Sequence, residues 1–259
     1  AYEAILAYLK LQRSVPELAH PGPYLLGVEA CLAIGDIKNA QTFIDFASTL
    51  FGTSPDLALA RFSLAILEKQ PRETLSEILA QVYQDSGLMP LSLAAGTAPV
   101  FDRLTSHTAP EPATSSELVS VIVPVFNAAD LLPSAVHSLL AQSWSSMEVL
   151  LVNDGSTDNS LEVAQALATQ DARVRVIELG RNRGAYAARN AGMAEARGTF
   201  ITVHDSDDWS HPQKIEMQAS TLLEDEALKA SVSHWARASN NLEFTRWRIE
   251  DGWTHRNVS

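Results

Sequence analysis

Cysteine is nearly absent. Cys31 is the single one among 259 residues, which excludes an intramolecular disulfide framework and fits a reducing compartment. Its neighbours Leu26, Ala30 and Leu32 mark it as a buried structural thiol rather than a nucleophile. Long apolar runs are also missing. None approaches the ~20 residues that a membrane-spanning helix needs, and no basic-then-apolar leader opens the chain. These absences predict a cytoplasmic protein without a membrane span, free or peripheral to the inner face of a membrane. Basic charge is the third shortage: 19 Lys and Arg stand against 31 Asp and Glu, a formal net charge of -12. Such a chain lacks the cationic surface that neutralises a phosphate backbone, so general nucleic-acid binding is excluded. Most of the acidic excess reads as a contribution to solubility. Apolar material, by contrast, is plentiful at 46%, enough for one large core or two modest ones. The chain opens on Ala1 and stops at Ser259 without a closing element, so both ends are expected to be cut points in a longer parent.

From residue 1 to residue 87 apolar positions recur at helical spacing, as in Ile5, Tyr8 and Leu9 and again in Ala58, Phe62, Ala65 and Ile66. An all-α domain is expected there. Gly35-Asp36 interrupts the pattern, and Ala40, Ile44, Ala47 and Leu50 follow on one face, an arrangement that resembles the second half of a tetratricopeptide hairpin. Between residues 88 and 117 the periodicity fails while Pro90, Gly96, Pro99, Pro110, Pro112 and several Ser and Thr accumulate, the composition of a linker. Residues 118–259 then form a second domain. Val119, Val121, Ile122 and Val123 make a buried strand ended by Pro124. Strands are expected at Met147 to Asn153, Arg173 to Leu179 and Thr199 to His204. Helices are expected near Asp130 to Gln142, Asp158 to Thr169, Ala185 to Ala196 and Pro212 to Leu223. This alternation implies right-handed crossovers and a mainly parallel sheet covered on both faces. Its ligands bind beyond the carboxyl ends of the strands.

The residues at those ends are polar or acidic in every case: Pro124-Val125-Phe126-Asn127, Asn153-Asp154-Gly155-Ser156-Thr157-Asp158, Asn182-Arg183-Gly184 leading to Arg189-Asn190, and Asp205-Ser206-Asp207-Asp208-Trp209. One such loop is an ordinary turn; four together make a site. Three carboxylates within four residues repel one another unless a cation or several donors compensate. A divalent ion is the natural compensation, because Mg²⁺ and Mn²⁺ take one or two carboxylates plus phosphate oxygens. Asp205 and Asp207 could direct one carboxylate to the ligand and the other to the metal, against the plainer reading of a solvated turn before the helix at Pro212. Asp154 accepts but cannot donate, so it suits a base edge that presents an N–H, as uracil, thymine and guanine do. Asp158 reads as a helix cap with Ser160 as its rival.

These segments together resemble glycosyltransferase family 2. The similarity runs from about Leu118 to Leu223 and rests on Val119 to Asn127, Val152 to Asp158, Asn182-x-Gly184 with Ala188-Arg189-Asn190-x-Gly192, and His204 to Trp209. The resemblance implies a GT-A (Rossmann-like) α/β fold, a nucleoside-diphosphate-sugar donor with a UDP-sugar expected, and inversion at the anomeric carbon. It also implies that Pro124, Phe126 and Asn127 wall the base and ribose, that Asp154 bonds the base, and that Asp205 approaches the ribose or the ion. Asp207 would ligate Mn²⁺ or Mg²⁺. Arg189 would either serve the nucleotide or brace the loops through Asp154 or Asp205. His204 reads as an imidazole satisfied by its neighbours. Two departures stand out: Phe126 where the family commonly has tyrosine, and Asn153 where it has a first aspartate.

In the implied reaction a carboxylate base deprotonates an acceptor hydroxyl of a glycan or other molecule for in-line attack on the sugar. After Leu223 the chain offers Glu224, Asp225, Glu226, Glu243, Glu250 and Asp251, none in a recognisable catalytic context, so the base is expected beyond Ser259. The segment from Trp247 to Asn257 borders the donor sugar or acceptor, or forms a packed surface hairpin. A sugar nucleotidyltransferase would need a Gly-rich basic loop after the first strand, and Pro124 to Ala129 has none. The alternative from another class is an interaction scaffold: a degenerate transferase domain whose helical partner domain binds another protein or a second copy.

Overall fold

A computed structural model describes residues 20–84, 87–106, 110, 111, 113, 117–245 and 256–259. They fall into two compact units. The helical reading of residues 1–19 lies outside the described residues, as does nearly all of the segment from Trp247 to Asn257.

The first unit holds residues 20–106 and 236–245 of those described. It begins with helices α1 (Gly22–Ala33), α2 (Ile37–Phe51), α3 (Pro55–Leu67) and α4 (Arg72–Gln84). The Gly35-Asp36 break behaves as its residues dictate. Gly35 takes a left-handed φ of 72°, and Asp36 caps α2 by accepting from the Asn39 N–H at 3.2 Å. Ser54 caps α3 in the same way, with Pro55 at the first helical position. Buried Val28, Cys31, Ile44, Ala47 and Leu57 form the shared core. At 1% exposure Cys31 is structural, and burial pushes its thiol above the ordinary range.

The stretch expected as a linker is partly folded. Strands β1 (Leu91–Leu93) and β2 (Leu104–Ser106) pair antiparallel, and the Leu93 N–H donates to Ser76 Oγ at 3.1 Å. Leu91 and Phe101 are fully buried. Three-residue strands show no periodicity, which is why composition alone suggested a linker. The second domain is likewise not one continuous stretch: β7 (Ala236–Ala238) and β8 (Phe244–Thr245) belong to the first unit. There the Phe244 N–H donates to Ser63 Oγ at 2.8 Å.

The second unit contains the parallel sheet β5-β4-β3-β6, made of β3 (Val119–Val125), β4 (Met147–Asn153), β5 (Val174–Glu178) and β6 (Phe200–Val203). Helices α5 (Leu132–Leu140), α6 (Ser160–Gln170), α7 (Ala185–Glu195) and α8 (Lys214–Glu224) connect and follow them. Alternate strand residues face opposite ways. Val121, Val123, Val149 and Leu151 pack with Val136, Leu139, Leu167 and Ile215 on one face, and Ile122, Leu150 and Val152 pack with Ala188 on the other. This is the expected α/β fold with helices on both faces. Gly192 lets α7 lie close to the sheet, since a Cβ there would sit 2.5 Å from Ile122. Pro124 does not end β3, as its run of β-branched residues suggested; it ends pairing on one side only. The register with β6 stops at Ile122↔Val203, whereas pairing with β4 continues to Val125↔Asn153. A residue without an N–H is tolerated where one ladder has run out. A final short strand, β9 (Arg256–Val258), bridges to Trp209 through Val258.

Candidate functional site

The loops at the carboxyl ends of β3, β4, β5 and β6 meet in an open cleft of about 320 Å³. Of the residues expected there, Pro124, Phe126, Asp154, Arg189, Asp205 and Asp207 all line it. Asn127 does not. With φ at 50° it occupies the left-handed region that asparagine tolerates, and its Oδ1 accepts from the Thr157 N–H at 2.8 Å. The Asn127 N–H in turn donates to Ser156 Oγ at 3.1 Å. Asn127 therefore splices the β3 and β4 loops rather than walling the cleft. Ala128 is tied to the same loop through its N–H to Ser160 Oγ at 2.8 Å.

Asn153 and Asp154 divide the work at the end of β4. Asn153 is 5% exposed and its Oδ1 accepts from the Ser156 N–H at 3.2 Å, so an amide carbonyl closes the turn where a carboxylate would bring charge. Asp154, 2% exposed, takes the Arg183 N–H on Oδ1 and the Gly184 N–H on Oδ2, both at 2.8 Å. It is a brace between loops as well as part of the cleft wall. Each oxygen retains a lone pair for a ligand N–H. Gly155 makes this joint feasible: φ is 68°, and a Cβ there would lie 2.5 Å from the Arg181 and Asn182 backbone. Asp158 and Ser160 are partners rather than rivals. The Ser160 hydroxyl donates to Asp158 Oδ1 at 2.6 Å and, with weaker backbone bonds, holds that carboxyl below its usual range.

Helix α7 brings Arg189 to the cleft one turn after Gly184. Its Nη2 donates to Asp205 Oδ1 at 2.7 Å, with both side chains partly exposed. This is the bracing arrangement through Asp205. Arg189 Nε is buried with no hydrogen-bond partner among the described residues. The Tyr186 ring lies with its centroid 5.6 Å from the Arg189 guanidinium carbon.

Strand β6 delivers the acidic loop. The His204 N–H donates to Ile122 O at 2.9 Å, and the Asp208 N–H closes a turn on Asp205 O at 3.2 Å. The expectation for His204 is overturned. It is 4% exposed, and neither ring nitrogen has a hydrogen-bond partner among the described residues. Burial first, and the Lys214 charge second, push its pKa down to about 3, so the imidazole is neutral near pH 7. It follows directly on β6, and the acidic loop begins at the next residue.

Val125, Ala185 and Ser206 also line the cleft. Nothing in their chemistry singles them out; only their place beside strand ends does. Glu224, Asp225 and Glu226 are exposed at the end of α8 and are not among the lining residues, Glu243 belongs to the other unit, and Glu250 and Asp251 lie outside the described residues. Three carboxylates and one guanidinium thus face the cleft, and two of the carboxylates sit on a single loop. Among the described residues no group of three or more His, Cys, Asp or Glu forms a cage for a metal ion.

An open parallel sheet with its cleft at the strand carboxyl ends defines an α/β ligand-binding domain of the switch-point class. The family model described as Glycosyl transferase family 2 matches residues 120–257, and the chain belongs to that family. It is 42% identical over 112 residues to glycosyltransferase GlyG of Streptococcus pneumoniae serotype 4, covering 43% of this chain and 37% of that protein. It is 39% identical over 107 residues to the putative teichuronic acid biosynthesis glycosyltransferase TuaG of Bacillus subtilis, covering 41% and 42%. Among solved structures it is 28% identical to S. aureus TarS 1-349 in complex with UDP-GlcNAc, with a TM-score of 0.38 and coverage of 42% and 32%. The chain therefore spans less than half the length of these relatives. Among the described residues, no helix is long and apolar enough to cross a membrane.

Proposed function

We propose that the cleft binds a nucleoside-diphosphate sugar, with UDP as the nucleotide, and that the parent protein transfers the sugar with inversion to a hydroxyl of a glycan or other acceptor. The observation that carries this reading is the convergence of Phe126, Asp154, Arg189, Asp205 and Asp207 on one cleft from three loops and helix α7. Phe126, 45% exposed, offers a stacking face for the base, and Asp154 offers an acceptor for its N–H. A diphosphate entering beside Asp205 and Asp207 would meet like charge, which fits a divalent cation between them. Two carboxylates on one loop, with no larger acidic or histidine cluster among the described residues, would suit Mg²⁺ or Mn²⁺, which take one or two carboxylates together with phosphate oxygens. Asp207 and Asp205 would hold the ion, which when bound would neutralise charge that develops on the departing diphosphate.

In the transfer, the acceptor oxygen bonds to the sugar C1 as the C1–O bond to the diphosphate breaks, and the hydroxyl proton passes to a carboxylate base. In this reading Asp154 serves the nucleotide base, and Asp205 and Asp207 serve the ion, so the general base is a carboxylate of another segment. The first unit would position the acceptor or join copies of the protein.

Calorimetric titration of UDP, GDP, dTDP and CDP, with Mn²⁺ and with chelator, tests the reading on the wild-type chain and on Asp207→Ala. The expected result is Mn²⁺-dependent UDP binding that the substitution removes. No binding by any nucleotide to a folded sample would overturn the donor-site reading and favour an interaction scaffold.

A further inference from the structure

Tyr186 is 80% exposed, which means that it contributes little to the packing of α7. Its ring contacts the guanidinium of Arg189, one helical turn onward, with 5.6 Å between the guanidinium carbon and the ring centroid. An i,i+3 pair on a helix meets in this way by geometry. The cation contacted is the one that reaches the acidic loop, through Nη2 to Asp205 Oδ1 at 2.7 Å. The guanidinium is planar and its donors point in fixed directions, so a ring held beside it limits the orientations that the head can take. With Nε buried and unpartnered among the described residues, the bond to Asp205 orients the head of this side chain from one side and the Tyr186 ring restrains it from another.

We propose that Tyr186 is a positioning residue for the donor site: its ring limits the orientations of the Arg189 head, and Arg189 in turn sets the carboxylate of Asp205 at the cleft. The effect passes from an exposed aromatic through a half-buried cation to the acidic loop. Tyr186 touches neither metal nor nucleotide in this scheme. It rests on the donor-site reading above for its functional consequence, but not for its structural one.

The test uses the 259-residue chain with three substitutions: Tyr186→Phe, which keeps the aromatic face; Tyr186→Leu, which keeps apolar bulk without it; and Tyr186→Ala. The exposure of the side chain makes all three compatible with folding, and unchanged thermal midpoints verify this. Two measurements are made. The first is the Arg189 Nε–Hε proton NMR resonance of the nucleotide-free protein, which the ring current displaces. The resonance is expected to stay in place in Tyr186→Phe and to shift and broaden in Tyr186→Leu and Tyr186→Ala. The second is UDP affinity in the presence of MnCl₂. It should weaken about threefold to fivefold in Tyr186→Leu and Tyr186→Ala, the size of an exposed cation–π contact, and be restored in Tyr186→Phe. Equal behaviour of Leu and Phe in both measurements would overturn the proposal. An altered Arg189 resonance with unaltered UDP affinity would overturn the functional half. If the wild-type chain binds no UDP, the donor-site reading fails on its own, and the resonance alone decides whether the ring positions Arg189.

Discussion

The two ends of one parallel sheet use the same chemistry to opposite purpose. At the amino end, Glu148 is 7% exposed and fully engaged: Ser120 Oγ donates to it at 2.7 Å, the Arg197 N–H at 2.7 Å and Arg175 Nη1 at 2.8 Å. Burial alone would raise its pKa, but these bonds and the Arg175 charge outweigh it, and the carboxyl is held below its usual range. At the carboxyl end, Asp205 pairs with Arg189 and its side chain is 45% exposed, while Arg189 keeps an unpartnered Nε among the described residues. A carboxylate enclosed by donors is a structural joint. One left half-exposed beside a cleft keeps oxygen lone pairs open to solvent.

Substitutions should separate the two ends. Glu148→Ala is expected to lower stability by about 3 kcal/mol, since it strips a buried cluster of its acceptor. Chemical denaturation would measure that loss, and UDP affinity per folded molecule should stay unchanged. Acid should come next. The His204 pKa is depressed to about 3 in the folded chain and is ordinary, ~6.5, when unfolded. Above pH 6.5 both states are neutral at this position and nothing is lost. As pH falls from 6.5 toward 3 the unfolded chain gains a proton that the folded chain refuses, so stability should decline by up to about 1.4 kcal/mol per pH unit. Denaturation in chelator at pH 7 and pH 5 should show this decline, and His204→Phe should flatten it. Asp207→Ala should reverse the pattern of Glu148→Ala: at least a tenfold loss of Mn²⁺-dependent UDP affinity by calorimetry, with an unchanged thermal midpoint. Smallest of all, Asp205→Asn should cost under about 1 kcal/mol of stability, as expected for a half-exposed ion pair. A larger loss would mean that this end too is a structural joint.

Much of the second unit can be read without coordinates because its signals are local. A β-branched run gives β3, Met147 to Asn153 coincides with β4, and the polar clusters after each strand bring six of the seven expected site residues to one cleft. What escapes is partnership at a distance. Nothing near Asp154 in the sequence says that both its oxygens will be claimed by amides 29 and 30 residues away. Nothing near Asn127 says that it will bond Thr157 instead of facing ligand. The β1–β2 pairing and the return of residues 236–245 to the helical unit are hidden for the same reason, since the Phe244 contact with Ser63 spans 181 positions. His204 misled differently. An imidazole normally finds a partner, and the sequence gives no sign that both ring nitrogens of this one are buried without one among the described residues.

The order β5-β4-β3-β6 puts the first-made strand of the sheet inside it, with the Asp154 loop to one side and the Asp205 loop to the other. In chain order the strands that carry the Asp154 loop and its amide donors, β3, β4 and β5, all precede β6. The acidic half arrives only when Phe200–Val203 pairs along Val119 to Ile122. Both flanks of the cleft are therefore in place only once the last strand of this row has paired.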